Sequence, residues 1–236
     1  MPAVTYGGKK LVKNTDYTVS YSKNTAIGQA SVKITGKGLY KGTKTVNFNI
    51  RPATVTKLKV SSTGEKSVKL SWKKITGADS YAIYRYDNTS KKWHRIKTVK
   101  AVSFTDSGLA RAKGYSYKVK AVKKSGGKEY ISASYSKAVE AVTKPAKASC
   151  TARSAGSGSI EVSWKAVGGA SGYEIYSSSN GSDYVKSAKV GGSQKSAIVS
   201  GFEPYSLRMV KVRAYKTVNG KTSYGAFSQA VMVIVR

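Results

Sequence analysis

The sequence predicts an all-β chain built from tandem two-sheet sandwiches, on three observations. Apolar residues alternate along several runs: Val68, Leu70 and Trp72 point one way and Ser67, Lys69 and Ser71 the other, while Tyr115, Tyr117, Val119 and Ala121 alternate with Ser116, Lys118 and Lys120. A period of two is that of half-buried antiparallel strands. Whole phrases then recur about one domain length apart. KVKAVKKSGGKEY at Lys118 returns as KVRAYKTVNGKTSY at Lys211, SVKLSW ending at Trp72 as SIEVSW ending at Trp164, DSYAIY (79–84) as SGYEIY (171–176), and EYISASYSKAV (129–139) as SYGAFSQAV (223–231). Offsets of 92 to 94 residues define a unit of ordinary domain size. Turn signals such as Ser-Gly-Gly, Asn-Gly and Thr-Gly separate the runs, and no window of a dozen residues offers a 3.6-residue stripe.

Taken in order, the chain divides at 1–51, 52–143 and 144–236, with about seven short strands expected in each of the last two segments. In both copies an early strand closes on a tryptophan, and the alternation places Trp72, Trp164, Tyr115, Val119 and Val212 in the cores. The connections NIRPA at Pro52 and VTKPAKA at Pro145 are short and are not Gly/Ser tethers. Successive sandwiches are therefore expected end to end with limited hinge freedom. Strands of about nine residues rising ~3.4 Å each make a domain ~30 Å long and a row of three ~90 Å, which is a stalk.

The tryptophan strand, the GY-x-I-Y strand and the leucine-led approach to Y-x-Y-x-V-x-A together resemble fibronectin type III domains, over residues 53–143 and 144–236. That resemblance implies immunoglobulin-like β-sandwiches. The first copy runs Leu109, Tyr115, Tyr117, Val119, Ala121 at the family's spacing. In the second, Phe202, Pro204, Ser206, Val210, Val212 and Ala214 fit, but Arg208 stands where the family has its corner tyrosine, with Tyr205 as the nearest substitute. Arg208 is expected to reach the surface or find an acid or carbonyl partner, because an unpaired buried charge is costly. Residues 1–51 carry DYTVSY, an N-x-x-x-G at Asn24, GKGLYKG around Tyr40 and a terminal F-x-I at Phe48. They are similar to a bacterial immunoglobulin-like module of Gram-positive surface proteins. Such a module begins one or two strands earlier, so the chain is expected to be a fragment, a partial module ahead of two fibronectin type III domains.

The inventory for catalysis is thin. One histidine, one cysteine and eleven carboxylates are spread over 236 residues, whereas acid–base pairs need hydrogen-bond proximity. His94 lies in the lysine-flanked KKWHRIK, Cys150 has no second cysteine, and no Gly-rich phosphate loop joins a strand to a helix. The expectation is a non-catalytic chain without metal or other cofactor, with Cys150 as a small apolar residue on the first strand of the last domain. No run of eighteen apolar residues and no signal-peptide pattern occurs, so neither membrane insertion nor a retained signal is expected.

Charge points to a partner. Lysine and arginine total 42 against 11 acids, and the excess of +31 is shared as +8, +14 and +9 over the three segments. Uniform basicity suits solubility or an extended polyanion better than a local catalytic field. Lysines outnumber arginines 34 to 8, and bidentate recognition of phosphate or guanine favours arginine, so nucleic acid is disfavoured. On the outer face of the first copy Tyr84, Tyr86 and Trp93 fall beside Lys118 and Lys120, and the second copy keeps Lys211 and Arg213 at the matching places. Such rings either stack on a ligand or are covered by lysine stems across strands. The leading expectation is a monomeric spacer and adhesion segment of a secreted or wall-associated bacterial surface protein, binding anionic wall polymers or acidic glycans. A carbohydrate- or host-protein-binding module with an aromatic site, or an accessory region of an extracellular hydrolase, stands as the alternative.

Overall fold

The structure, a computed structural model, describes residues 3–236. Its regular structure is strand throughout, and among the described residues no helix is long and apolar enough to cross a membrane. A short hairpin of β1 (Thr5–Tyr6) and β2 (Lys9–Lys10) precedes a three-stranded antiparallel sheet of β3 (Tyr17–Ser22), β4 (Gly28–Gly36) and β5 (Thr43–Ile50) in chain order. The register sets Val19 beside Ile34, and Tyr21 and Val46 either side of Val32. One face is therefore apolar, the other Ser, Thr and Lys. On the apolar face Tyr17, Ala30 and Val32 are buried, whereas Tyr21, Val46 and Phe48 stay exposed.

The first copy runs β6 (Lys59–Thr63), β7 (Ser67–Ser71), β8 (Ser80–Asp87), β9 (Lys92–Val99), β10 (Ser103–Ser107), β11 (Gly114–Ser125), β12 (Lys128–Ile131) and β13 (Val139–Val142). Its strands form two sheets, β10-β7-β6 and β12-β11-β8-β9, with β13 also on β11. The second copy follows with β14 (Cys150–Gly156), β15 (Ser159–Trp164), β16 (Gly172–Ser178), β17 (Val185–Gly191), β18 (Ser196–Ser200), β19 (Leu207–Val218), β20 (Lys221–Tyr224) and β21 (Val231–Ile234). It keeps the same order, β14-β15-β18 and β17-β16-β19-β20, with β21 on β19. The fold class is thus all-β, with the same pair of antiparallel sheets repeated in the two copies. Each copy has one strand more than the seven expected, because its last stretch is broken. β12 pairs with residues 122–125 of β11 and β13 with residues 114–117. Between them Ser132 and Ser136 donate backbone N–H groups to the Ala121 and Val119 carbonyls, both at 2.9 Å. A strand of twelve residues is long enough to hold two short partners in succession.

By its contacts the chain forms two compact units: residues up to Leu58 with Trp72–Val102 and Lys118–Ala138, and Lys59–Ser71 with Ser103–Tyr117 and Val139–Arg236. In the second unit the core of the second copy joins Ile160, Val162 and Val199 from one sheet to Tyr173, Ile175, Val210, Val212 and Ala214 from the other, around Trp164. Val212 is fully buried and Trp164 nearly so; the indole N–H donates to the Gln194 carbonyl at 3.1 Å, and the ring lies 5.1 Å from Tyr173. In the first unit Trp72 sits 5.3 Å from Tyr81 in the same pairing, though its indole Nε1 is buried without a hydrogen-bond partner. Both tyrosine hydroxyls accept a backbone N–H six residues upstream, Ile75 onto Tyr81 at 2.8 Å and Val167 onto Tyr173 at 2.7 Å. Val119 is fully buried.

Two core expectations need correcting. Tyr115 is half-buried, because its hydroxyl turns back to accept the Ala110 N–H at 2.9 Å; the fully buried tyrosine is Tyr117, which donates to Asp106 at 2.8 Å. At the equivalent place Arg208 is half-buried: among the described residues it has no acid or carbonyl partner, but only its Nε is buried, so the tip of the guanidinium reaches the surface as expected. Its guanidinium lies 4.8 Å over the Phe202 ring, and its buried Nε has no hydrogen-bond partner. Tyr205 does not substitute for a corner tyrosine: it is 86% exposed in a turn at φ 61°. Cys150 is half-buried beside the second copy's core, its sulfur 3.1 Å from the Ser228 hydroxyl.

Candidate ligand surface

β8 alternates Tyr81 and Ile83 inward, leaving Tyr84 and Tyr86 to point outward, and the β8–β9 register sets Tyr84 beside Arg95 and Tyr86 beside Trp93. The Tyr86 and Trp93 rings lie 5.2 Å apart. From β11, adjacent to β8, the Lys118 ammonium reaches 4.4 Å from the Trp93 ring centroid, so Tyr84, Tyr86, Trp93, Lys118 and Lys120 do share one surface. Its centre is a residue sequence reasoning missed. Tyr135, in the crossing between β12 and β13, lies edge-to-face with Tyr84 at 4.9 Å and 5.4 Å and 4.2 Å beneath the Lys118 and Lys120 ammoniums. Lys120 also donates to the Ala133 carbonyl at 3.0 Å. The available signal was the recurrence of an aromatic at Tyr135 and Phe227, one repeat apart.

Charge at the flank of this surface is internally matched. Arg95 spans Glu129 at 3.0 Å and the Thr98 hydroxyl at 2.7 Å, which holds the Glu129 carboxyl below its usual range and raises the guanidinium's pKa. Burial, then the neighbouring Tyr135, pushes the Tyr84 phenol up. The four rings are half-buried: Trp93 and Tyr135 are capped by ammoniums, while Tyr84 and Tyr86 pack against Tyr135 and Trp93, so they do not form an open platform.

The second copy places its predicted cations in a tighter setting. Lys211 lies 3.5 Å over Tyr184 and 4.5 Å over Phe227. Arg213 stacks on Tyr224 at 4.1 Å, donates to the Tyr176 hydroxyl at 3.0 Å, and grips Glu174 through Nε at 3.0 Å and Nη2 at 2.8 Å. The Glu174 side chain is 2% exposed; Lys186 stands 3.5 Å from its other oxygen. Burial alone would raise this carboxyl's pKa, but Arg213 and then Lys186 outweigh it and the net shift is downward. Sequence reasoning passed over Glu174 because a glutamate in an alternating strand reads as solvated.

His94 has neighbours that its flanking sequence does not suggest. The β8–β9 hairpin brings its Nε2 to 2.9 Å from the Ser90 hydroxyl and 3.9 Å from Asp87. Serine and aspartate meet the same ring nitrogen, however, whereas a nucleophilic relay needs them on opposite nitrogens. Asp87 instead caps the turn: the Ser90 hydroxyl and the Thr89 and Ser90 N–H groups lower its pKa to about 2. Among the described residues no three His, Cys, Asp or Glu side chains gather as a metal site.

No family's sequence profile matches the chain. One curated relative is a poly(3-hydroxybutyrate) depolymerase of Ralstonia pickettii, 42% identical over 100 residues; the match takes in 42% of this chain and 18% of that protein. Among solved structures, the FN1–FN3 domains of chicken CNTN1 align over 88% of this chain and 77% of theirs, at 17% identity and TM-score 0.41. A two-domain fibronectin type III segment of chicken tenascin aligns over 79% of this chain and all of its own, at 18% identity and TM-score 0.47.

Proposed function

We propose that the chain is a non-catalytic modular segment of a secreted or wall-associated bacterial surface protein, a semi-rigid spacer whose basic exterior adheres to anionic wall polymers or acidic glycans. On this reading residues 1–51 are part of a bacterial immunoglobulin-like module. The observation that carries the proposal is how the cations divide. Arg95, Arg111, Arg153 and Arg213 hold Glu129, Glu65, Glu161 and Glu174. Few acids are left to offset the lysines, which make up most of the +31 excess in every segment. A surface of many separate ammoniums favours loose, sequence-blind attraction to a polyanion.

Close junctions support the spacer role. In the first unit a Cβ on Gly77 would meet Ile27 at 2.8 Å, and Arg51 donates to the Ile131 carbonyl at 3.2 Å. In the second, a Cβ on Gly114 would meet Val218 at 2.8 Å, and Lys221 donates to the Glu140 carbonyl at 3.1 Å.

The test is sedimentation with isolated Gram-positive walls across a salt series. Polyanion binding releases counterions, so affinity falls steeply with salt; it drops when teichoic acids are stripped, and heparin competes. Absence of binding at low salt sinks the reading. The depolymerase match favours a second one, an accessory region of an extracellular polymer-degrading enzyme. Binding to poly(3-hydroxybutyrate) film that salt leaves untouched would select it.

A further inference from the structure

The GKGLYKG stretch is not used by the surface described above, and it shapes a cleft within residues 3–51. The loop after β4 folds straight back on the strand: a Cβ on Gly36 would meet the Tyr40 carbonyl oxygen at 2.4 Å, so only glycine fits. Three backbone bonds close it, Gly36 N–H to Gly42 O at 3.0 Å, Lys37 N–H to Asp16 O at 2.9 Å and Tyr40 N–H to Lys37 O at 3.2 Å. The opposite wall is the β1–β2 hairpin, tied down by Leu11 N–H to Val4 O at 2.9 Å. Leu11 and Tyr17 are buried at the base of an open cleft of about 390 Å³, which Tyr6, Leu39, Tyr40, Lys41 and Lys44 also line. Tyr6 is 71% exposed and Leu39 97% exposed, and the Tyr6 and Tyr40 rings meet at 74° with centroids 5.7 Å apart. In contrast to Trp93 and Tyr135, the Tyr6 ring leaves most of its surface to solvent.

We infer that this cleft is a binding site for an anionic glycan, in which a sugar ring packs on Tyr6 against the Tyr40 corner while Lys41 and Lys44 take its carboxylate or sulfate. Charge complementarity selects the anionic class. Residues 1–51 carry +8 with Asp16 as their one acid, and the Asp16 carboxylate is already accepting the Val12 N–H at 2.8 Å. The exposed Tyr6 ring, backed by the half-buried Tyr40, matches the apolar face that a sugar ring offers and a bare inorganic anion lacks. The inference rests on the proposed polyanion affinity but adds a defined site to it.

The two separate by salt. At about 0.5 M NaCl the Debye length is only a few ångströms and diffuse attraction is screened, so titration calorimetry of the full chain with a heparin hexasaccharide and with a hexagalacturonate reads the cleft. Binding to at least one of them is expected to persist, the preferred one telling sulfate from carboxylate as the anion. Tyr6→Ala weakens it about tenfold, the scale of one lost ring stack. Lys41→Gln with Lys44→Gln weakens it comparably, and neutral maltohexaose does not compete. Tyr6 lies exposed on a two-residue strand, so its substitution leaves the fold in place. Equal affinity of Tyr6→Ala and the natural chain, or equal binding of maltohexaose, overturns the site. Binding at low salt that vanishes at 0.5 M does so too while leaving the diffuse reading standing; no binding at any salt overturns both.

Discussion

Where the first copy has Tyr117, fully buried and donating its hydroxyl to Asp106, the second has Val210, and Val199 replaces the aspartate. On the outer face of the second copy Glu174 is gripped by Arg213, and the first copy has Ala82 and Lys120 at those places. Each copy thus buries a carboxylate on the side where the other has none. In both cases two residues differ together. Alternation demands only that a buried polar group arrive with its partner, since an unpartnered one is costly. A sandwich of this kind tolerates a carboxylate on either side of its sheet when a hydroxyl or guanidinium comes with it.

The most severe way to break the comparison is Arg213→Ala. It leaves Glu174 buried with only Lys186 at 3.5 Å and the Tyr176 hydroxyl at 3.4 Å, and stability of the second copy should fall by about 3–5 kcal/mol. Hydrogen exchange of peptides covering β16 and β19 reads the loss. Lys120→Ala at the matching place should leave the β8 and β11 peptides nearly unchanged; equal losses would mean the two faces are held alike. The sign with pH follows from the lowered pKa of Glu174. The unfolded chain takes up the proton first, near the ordinary value of 4.5. The stabilisation is therefore full above that pH and is lost as pH falls through the lower folded value, with protection of β16 fading in that window and the Glu174→Gln chain failing to show the same step.

Next in size is Gly172→Ser, which copies Ser80 of the first copy into the second. A Cβ on Gly172 would lie 2.2 Å from the Val190 carbonyl oxygen and 2.5 Å from the Tyr215 hydroxyl, where the first copy has Val122. Overpacking should cost about 1–3 kcal/mol. A thermal melt unchanged by the substitution would show that the strand shifts to make room. Smaller again is the coupling inside the first copy. Tyr117→Phe and Asp106→Val should be non-additive by about 1 kcal/mol in a double-mutant cycle by urea titration, whereas additive costs would mean the hydrogen bond carries no net stability. Smallest, Lys118→Ala should cost under about 1 kcal/mol, the scale of an exposed cation–π contact. It uncovers Trp93, so an unchanged tryptophan emission and quenching rate would count against the ring being capped.

Period-two alternation and a ninety-residue repeat were enough to determine the all-β class, the tandem copies and the inward Trp72, Trp164, Val119 and Val212. These follow from the chain's own pleat, in which neighbours two apart share a face. Tyr135 over Lys120, Glu174 beneath Arg213, His94 beside Asp87 and the Tyr6–Tyr40 corner required the tertiary structure. Each depends on which strands lie adjacent and where a loop crosses them, and local period carries no record of that. Arg208 makes the same point from within a strand. Its position in the alternation was legible, but its resting place over Phe202 was decided by the ring that the preceding turn brings beneath it.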